Sequence, residues 1–201
     1  MRSYAGATGV ERQAERRERL LAAGLELLAS ADGPGEFTLR GICREADLAP
    51  RYFYESFDDL DEFAVTIYDD EIMALTSVTL AALESIDRGD DEKRIRTSLG
   101  ALIHHIAADL RRGRLLYSNE LASVPAVAAR RRESTRLFVG LLVDESNPDS
   151  PLDAPSEVVT EMLVGGLAQA IRAWLDGDIS LSEEELVDAC TQVFLDTLTR
   201  T

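Results

Sequence analysis

Cysteine, histidine and tryptophan are scarce in this 201-residue chain, at two, two and one copies, and the scarcity closes off several classes of chemistry. Cys43 and Cys190 lie far apart in sequence, and neither belongs to a CxxC pair or a Cys/His cluster. Both read as small buried hydrophobes, with no metal site expected. His104 and His105 are adjacent and therefore sit on diverging faces of a helix. No glycine-rich phosphate loop, GxSxG or HExxH accompanies them, so a helical enzyme is disfavoured and no cofactor is expected. There is no run of 18 or more uncharged apolar residues, and the opening MRSYAGATGVERQAERRERLL is charged where a signal peptide is apolar. The expectation is a soluble, cytoplasmic protein.

What is present is an ordinary globular composition, 45% hydrophobic and 29% charged, long enough for one sizeable core or two small ones. Net charge is -16, which at first opposes any role on nucleic acid. Its distribution removes the objection. Residues 1–54 contain eight arginines and eight acids, whereas the other 147 hold 13 basic and 29 acidic side chains. The whole deficit thus lies beyond Tyr54, leaving a neutral N-terminal segment that can approach phosphate while the body repels it.

Hydrophobic periodicity is helical throughout, and no segment reads as a strand. Helices are predicted over 11–31, 39–46, from Pro50, over 59–85, 92–112, 115–122, 126–143, 156–176 and 182–198, about nine in all. Gly113 and Pro125 bracket the short 115–122 helix, and 144–156 is the clearest long loop. Asp59, Asp61 and Glu62 suit the positive end of the long helix. Ser182 stands three residues before Glu185, forming a capping box. The fold class is all-α.

The run TLRGICREADLAPRYFYESF, Thr38 to Phe57, reads as two short helices around a tight turn. The Thr38 hydroxyl can cap the first helix, Asp47 tolerates turn geometry, and Leu48 supplies an apolar plug. Pro50 fits the first position of the second helix. Phe53 and Phe57, at i and i+4, share a buried face, leaving Arg51, Tyr52, Glu55 and Ser56 outward. This is a helix-turn-helix whose second helix can enter a major groove, and double-stranded DNA becomes the first partner to consider.

With RERLLAAGLELLA (17–29) before it and YFYESFDDLDEF (52–63) closing it, this segment resembles the TetR family of bacterial transcriptional repressors. VGGLAQAIRAWLDGDISLSEEELVDA (164–189) is similar to the penultimate and last helices of many members. The resemblance implies an N-terminal DNA-binding domain (1–57) and a C-terminal domain (58–201) that binds a small effector and dimerises through its last two helices. It further implies phosphate contacts from Thr38 and Tyr54, and base contacts from Arg51 and Tyr52. The chain departs from the pattern at Ala49, where a Ser or Thr cap is usual, at Asp47 for a turn glycine, at Ser56 for a histidine, and at Leu60 for a backbone-contacting lysine. Arg40, Arg44 and the N-terminal arginines, Arg16 among them, are expected to compensate; Glu15 and Arg19 read as an i,i+4 pair on a solvated face.

In the body, the 156–176 helix is apolar on nearly every side, which in so small a domain calls for a partner chain. Leu163, Leu167 and Ile171, with Val187, Cys190 and Phe194 of the last helix, are the expected interface of a four-helix homodimer. On the 92–112 helix, Ile95, Leu99, Leu102, Ile106 and Leu110 define the inward face, with His105 at its margin and His104 opposite. His105, Tyr117, Asn119, Met162, Gln169 and Trp174 are the expected lining of a small-molecule pocket. The function predicted is a dimeric, effector-released repressor on a palindromic operator. The alternative is an acidic helical interaction module that has lost operator binding.

Overall fold

The computed structural model describes residues 9–30, 35–117, 124–134 and 154–198, with the side chains of 154–157 and 198 excepted. Among these residues the chain is all-helical: α1 (Gly9–Leu28), α2 (Leu39–Glu45), α3 (Pro50–Phe53), α4 (Leu60–Leu83), α5 (Asp91–Ala108), α6 (Leu110–Tyr117), α7 (125–134), α8 (Ala154–Leu175) and α9 (Glu183–Leu198). Local chemistry sets most boundaries. The Asp59 carboxylate accepts from the Glu62 amide at 2.8 Å and starts α4, and the Asp90 carboxylate does the same for Lys93 at 3.1 Å at the head of α5. The predicted capping box opens α9, with Ser182 and Glu185 exchanging bonds at 2.8 and 3.3 Å.

One expected helix is two. The 92–112 segment breaks at Asp109, which adopts an extended backbone (φ -152°, ψ 102°) and turns its carboxylate onto the Arg111 amide at 3.1 Å and the Arg111 side chain at 2.9 Å. An aspartate can cap a following helix, and that option wins over continuation. Leu110 therefore leaves the inward face and is exposed, while Ile103, not singled out from the sequence, is fully buried. Gly113 is likewise no bracket. It lies buried inside α6, where a Cβ would stand 2.6 Å from Leu175 Cδ1 and 2.7 Å from Ile106 Cγ2. Its role is to let α8 and α5 approach α6 closely.

Two apolar clusters hold the chain. The larger runs from Leu20 and Leu28 of α1 through Ile42, Phe53 and Phe57 into Phe63, Ile67 and Leu75 of α4, and on to Leu115 and Val127. Phe63 is its hub, with ring centroids 5.1 Å from Phe53 and 4.7 Å from Phe57, both edge-on. Burying each such side chain contributes about 1.5–3 kcal/mol, so the first turns of α4 form the floor on which α2 and α3 rest. The smaller cluster joins Leu99 and Ile103 of α5 to Leu163 of α8 and to Leu186, Val187, Cys190 and Phe194 of α9. Both thiols are buried, Cys43 in the first cluster and Cys190 in the second, and burial pushes each above its usual range.

Candidate nucleic-acid interface

The turn between α2 and α3 is held by backbone bonds from Asp47 to the Arg44 carbonyl (3.2 Å) and from Leu48 to the Cys43 carbonyl (2.9 Å). Asp47 itself has φ 49°, the left-handed region where a glycine would be unstrained and where aspartate is among the better-tolerated alternatives. Arg19 supports it from outside. Expected to pair along its own helix with Glu15, it instead donates to the carbonyls of Ala46 (2.6 Å) and Asp47 (3.2 Å). Thr38 caps α2 as predicted, accepting from the Gly41 amide at 3.0 Å.

α3 is a single turn. Ala49 has the extended backbone of a cap (φ -73°, ψ 147°) but supplies no side-chain bond, and after Phe53 the chain continues as turn through Ser56. Phe53 and Phe57 are buried as their spacing predicts. Above them stands a linked group. The Tyr52 hydroxyl accepts from Arg51 Nη2 at 2.9 Å, and the guanidinium carbons of Arg51 and Arg16 lie over the Tyr52 ring at 4.7 and 4.5 Å from its centroid. Arg16 also donates to Glu55 Oε2 at 2.8 Å, and Gln13 donates to the Glu55 carbonyl at 3.1 Å. The hydrogen bond from Arg51 to the phenol favours the charged guanidinium, and its pKa is raised.

The remaining expected DNA contacts differ in readiness. Arg40 is exposed and makes no ion pair among the described residues. Arg44 is bound to Glu36 at 2.7 Å and would have to exchange that carboxylate for phosphate. Tyr54 is 61% exposed, but its surroundings are acidic. It lines an open surface hollow of about 390 Å³ together with Leu39, Phe53, Asp58, Asp59, Leu60 and Asp61. A helix N-terminus normally offers free amides to an anion. Here Asp59 takes the Glu62 amide, and Glu62 reaches back to the Asp58 amide at 2.6 Å, so the chain's own carboxylates occupy those donors.

The expected effector residues do not converge. His105 is 8% exposed, facing Glu71 of α4 and Arg112 of α6, neither of which the sequence had pointed to. Its Nε2 is 3.6 Å from Glu71 Oε2, and Arg112 Nε is 3.5 Å from the same oxygen; all three atoms are buried without a hydrogen bond. Tyr117 is half-buried against the first cluster, and desolvation of its phenol lifts it above the usual range. Trp174 belongs to the second cluster, and its ring N–H donates to the Leu181 carbonyl at 2.8 Å, closing the α8–α9 turn. Met162 is no pocket wall, since it is 70% exposed. Gln169 is exposed and bonded to Arg172, and Asn119 lies outside the described residues. His104 is exposed opposite His105, 3.0 Å from Glu183.

The expected dimer face also needs correction. Ile171 is fully buried within the chain; Leu163, Val187, Cys190 and Phe194 are buried in the second cluster, with Leu167 half-buried against them. These residues join α8 and α9 to α5 inside one chain. The uncovered apolar surface is the other face of the same helices: Val158 (58% exposed), Met162, Gly165, Gly166 and Val193 (57% exposed).

No protein-family model matches the chain. Its structure is similar to that of a TetR-like transcriptional regulator from Rhodococcus sp. RHA1, with 17% identity, 93% of this chain and 95% of the other covered, and a TM-score of 0.65. The fatty acid degradation regulator FadR from Bacillus halodurans matches at 16% identity over 89% of this chain and 93% of that one, TM-score 0.67. A TetR family transcription regulator from Marinobacter aquaeolei VT8 matches at 14% identity over 91% and 97%, TM-score 0.66. At these identities the likeness is one of architecture, and over nearly its whole length the chain has the fold of the TetR-family transcriptional regulators.

Proposed function

We propose that the chain is a transcriptional regulator that reads a palindromic DNA operator as a homodimer, with 1–57 as the reading segment and 58–201 as the dimerising, effector-receiving body. The observation that carries this reading is the pairing of an exposed Arg51 with a half-buried Tyr52 on α3, on a helix-turn-helix seated on Phe63. Arg51 presents the donors suited to a guanine edge, and Arg40 and Tyr54 are exposed for contacts to the backbone. Repression relieved by an effector follows if the effector prefers a state in which the two reading heads are apart.

Dimerisation is supported by α8. The stretch Val158–Leu175 has a mean hydropathy of 1.2, yet 17% of it is buried within the chain. An apolar helix so little covered calls for an apolar partner, and Gly165 and Gly166, with open space around them, permit close approach of a second copy. Met162→Glu combined with Val193→Asp is expected to turn a sedimenting dimer into a monomer.

One observation favours a second reading, an acidic interaction module without operator binding. Asp58, Asp59 and Asp61 surround the Tyr54 hollow, where a phosphate contact would be wanted. Selection of the full-length protein against a random-sequence duplex library separates the two. The regulator returns an enriched palindrome; a library that emerges unenriched leaves the interaction module standing.

A further inference from the structure

Arg16 sits where a phosphate contact would be sought, in the N-terminal half of an arginine-rich helix facing the reader, but its surroundings give it other work. Its Nη2 is committed to Glu55 at 2.8 Å, its guanidinium carbon lies over the Tyr52 ring 4.5 Å from the centroid, and its Nε is buried without a hydrogen bond. The side chain is 23% exposed, and its charge is matched by a carboxylate. We infer that Arg16 is a positioning residue that sets the base preference of α3 by fixing Tyr52, and through Tyr52 the Arg51 guanidinium, and is not a phosphate contact. The inference rests on the DNA reading above and adds a determinant of specificity to it.

α3 is a weak element. A single turn without a side-chain cap holds its side chains poorly, and half-buried Tyr52 is held on that surface by the guanidinium groups of Arg16 and Arg51. Glu55 fixes the Arg16 plane, and Arg16 restrains the Tyr52 ring. The phenol then receives Arg51 Nη2 at 2.9 Å, which limits where the remaining guanidinium donors point. Orientation set before binding lowers the ordering cost on the correct sequence and leaves incorrect sequences unrewarded. The planar shape of arginine is essential to this, because lysine keeps the charge but not the stack.

The test uses the full-length protein with a duplex chosen by the wild type from a random library and with a random duplex of equal length. Each is titrated by fluorescence anisotropy across a salt series. Arg16→Lys and Arg16→Ala are expected to lose roughly tenfold or more of the discrimination between the two duplexes, with random-duplex affinity and salt slope near the wild-type values for Arg16→Lys. Selection repeated with Arg16→Lys is expected to return altered base preferences. Glu55→Gln, an exposed and conservative change that removes an acid from this surface, is expected to bind random duplex more tightly yet discriminate less. A phosphate-contacting Arg16 behaves differently: Arg16→Lys resembles the wild type, while Arg16→Ala weakens both duplexes alike and reduces the salt slope by about one. That pattern, or unchanged discrimination in Glu55→Gln, overturns the inference. A wild type that discriminates between no duplexes overturns the DNA reading itself, a result distinguishable because it appears before any variant is made.

Discussion

Ala49→Ser is expected to stabilise the protein, and the structure permits an estimate of how much. Ala49 already has the extended backbone of a cap, and its side chain is exposed, so a hydroxyl can be added without a clash. Pro50 contributes no N–H, and the Tyr52 amide is met by the Ala49 carbonyl at 2.9 Å. A hydroxyl at 49 adds an acceptor for the first-turn amides that is at present missing. Thr38 supplies an internal standard, since it makes the equivalent bond to Gly41 at 3.0 Å at the start of α2. A cap of this kind contributes about 1 kcal/mol, within a range of roughly 0.5–2. For a chain of this size that raises Tm by roughly 2–4 °C, while Thr38→Ala lowers it by a similar amount. Thermal unfolding followed by circular dichroism reads both. Should α3 be ordered only on DNA, the same substitution would also tighten operator binding by about fivefold, since 1.4 kcal/mol is tenfold. A Tm unchanged or lowered in Ala49→Ser, alongside a clear loss in Thr38→Ala, would refute the view that α3 is limited by its missing cap.

Three further outcomes follow from the packing and the charges. Gly113→Ala is expected to cost about 1–3 kcal/mol in urea unfolding, because its Cβ would stand 2.6 Å from Leu175 and 2.7 Å from Ile106; an unchanged midpoint would mean that α6 and α8 separate freely. Asp61→Lys, on the exposed first turn of α4 beside Tyr54, is expected to tighten binding to random duplex and to steepen its salt dependence by about one unit, the increment of one added phosphate contact. Acid titration should expose Asp109, whose carboxyl is held below its usual range by the Arg111 side-chain hydrogen bond. The unfolded carboxyl, near 3.9, takes up its proton first as pH falls, so the stabilisation is full above about pH 4 and fades below it. The stability difference between wild type and Asp109→Asn is therefore expected to shrink at acid pH, and a difference that persists unchanged would assign it to another cause.

The features legible in the sequence are those settled within one turn of chain. Thr38, Asp59 and the Ser182/Glu185 box act on amides three residues away, and Pro50 acts through its own fixed φ and missing N–H, so their residue types announce them. The break at Asp109 was missed because an aspartate in an apolar helical pattern looks like a solvated position until its carboxylate is seen to cap the next helix. Long-range partners leave no periodic trace. Arg19 reaching the α2–α3 turn, and Arg16 reaching Glu55 and Tyr52, look identical in sequence to arginines on a solvated face. The residues expected at the dimer face are covered within the chain for a different reason: an all-round apolar helix says that every side needs cover, and the period cannot tell which side the chain covers itself. Leu163 is taken by α5 and α9 and Ile171 is buried within the chain, leaving Met162 and Val158 outside.

The same long-range pairs describe how body and reader can be coupled. α4 carries Phe63, under the reading helices, and Glu71, eight residues later and so about 12 Å along the axis. Asp69 is bound to Arg130 of α7 at 2.6 Å, and Glu26 of α1 is bound to Arg111 of α6 at 2.9 Å. Those two pairs are closed. The contact of Glu71 with His105 and Arg112 is not: Arg112 Nη1 lies 3.4 Å from His105 Nδ1, but Glu71 Oε2 is 3.6 Å from His105 Nε2 and 3.5 Å from Arg112 Nε, and these three buried atoms have no hydrogen bond. An N–H···O bond forms near 2.9 Å, and an unmet buried polar group costs about 1–3 kcal/mol. A shift of α5 and α6 against α4 of well under 1 Å therefore changes the satisfaction of three groups at once, whereas an equal shift in the apolar clusters meets close packing on every side. On the proposed reading, this junction is where the body has most to gain by moving, and Arg111, one residue from Arg112, ties that movement to α1 and hence to the helix that holds Arg16 against Tyr52.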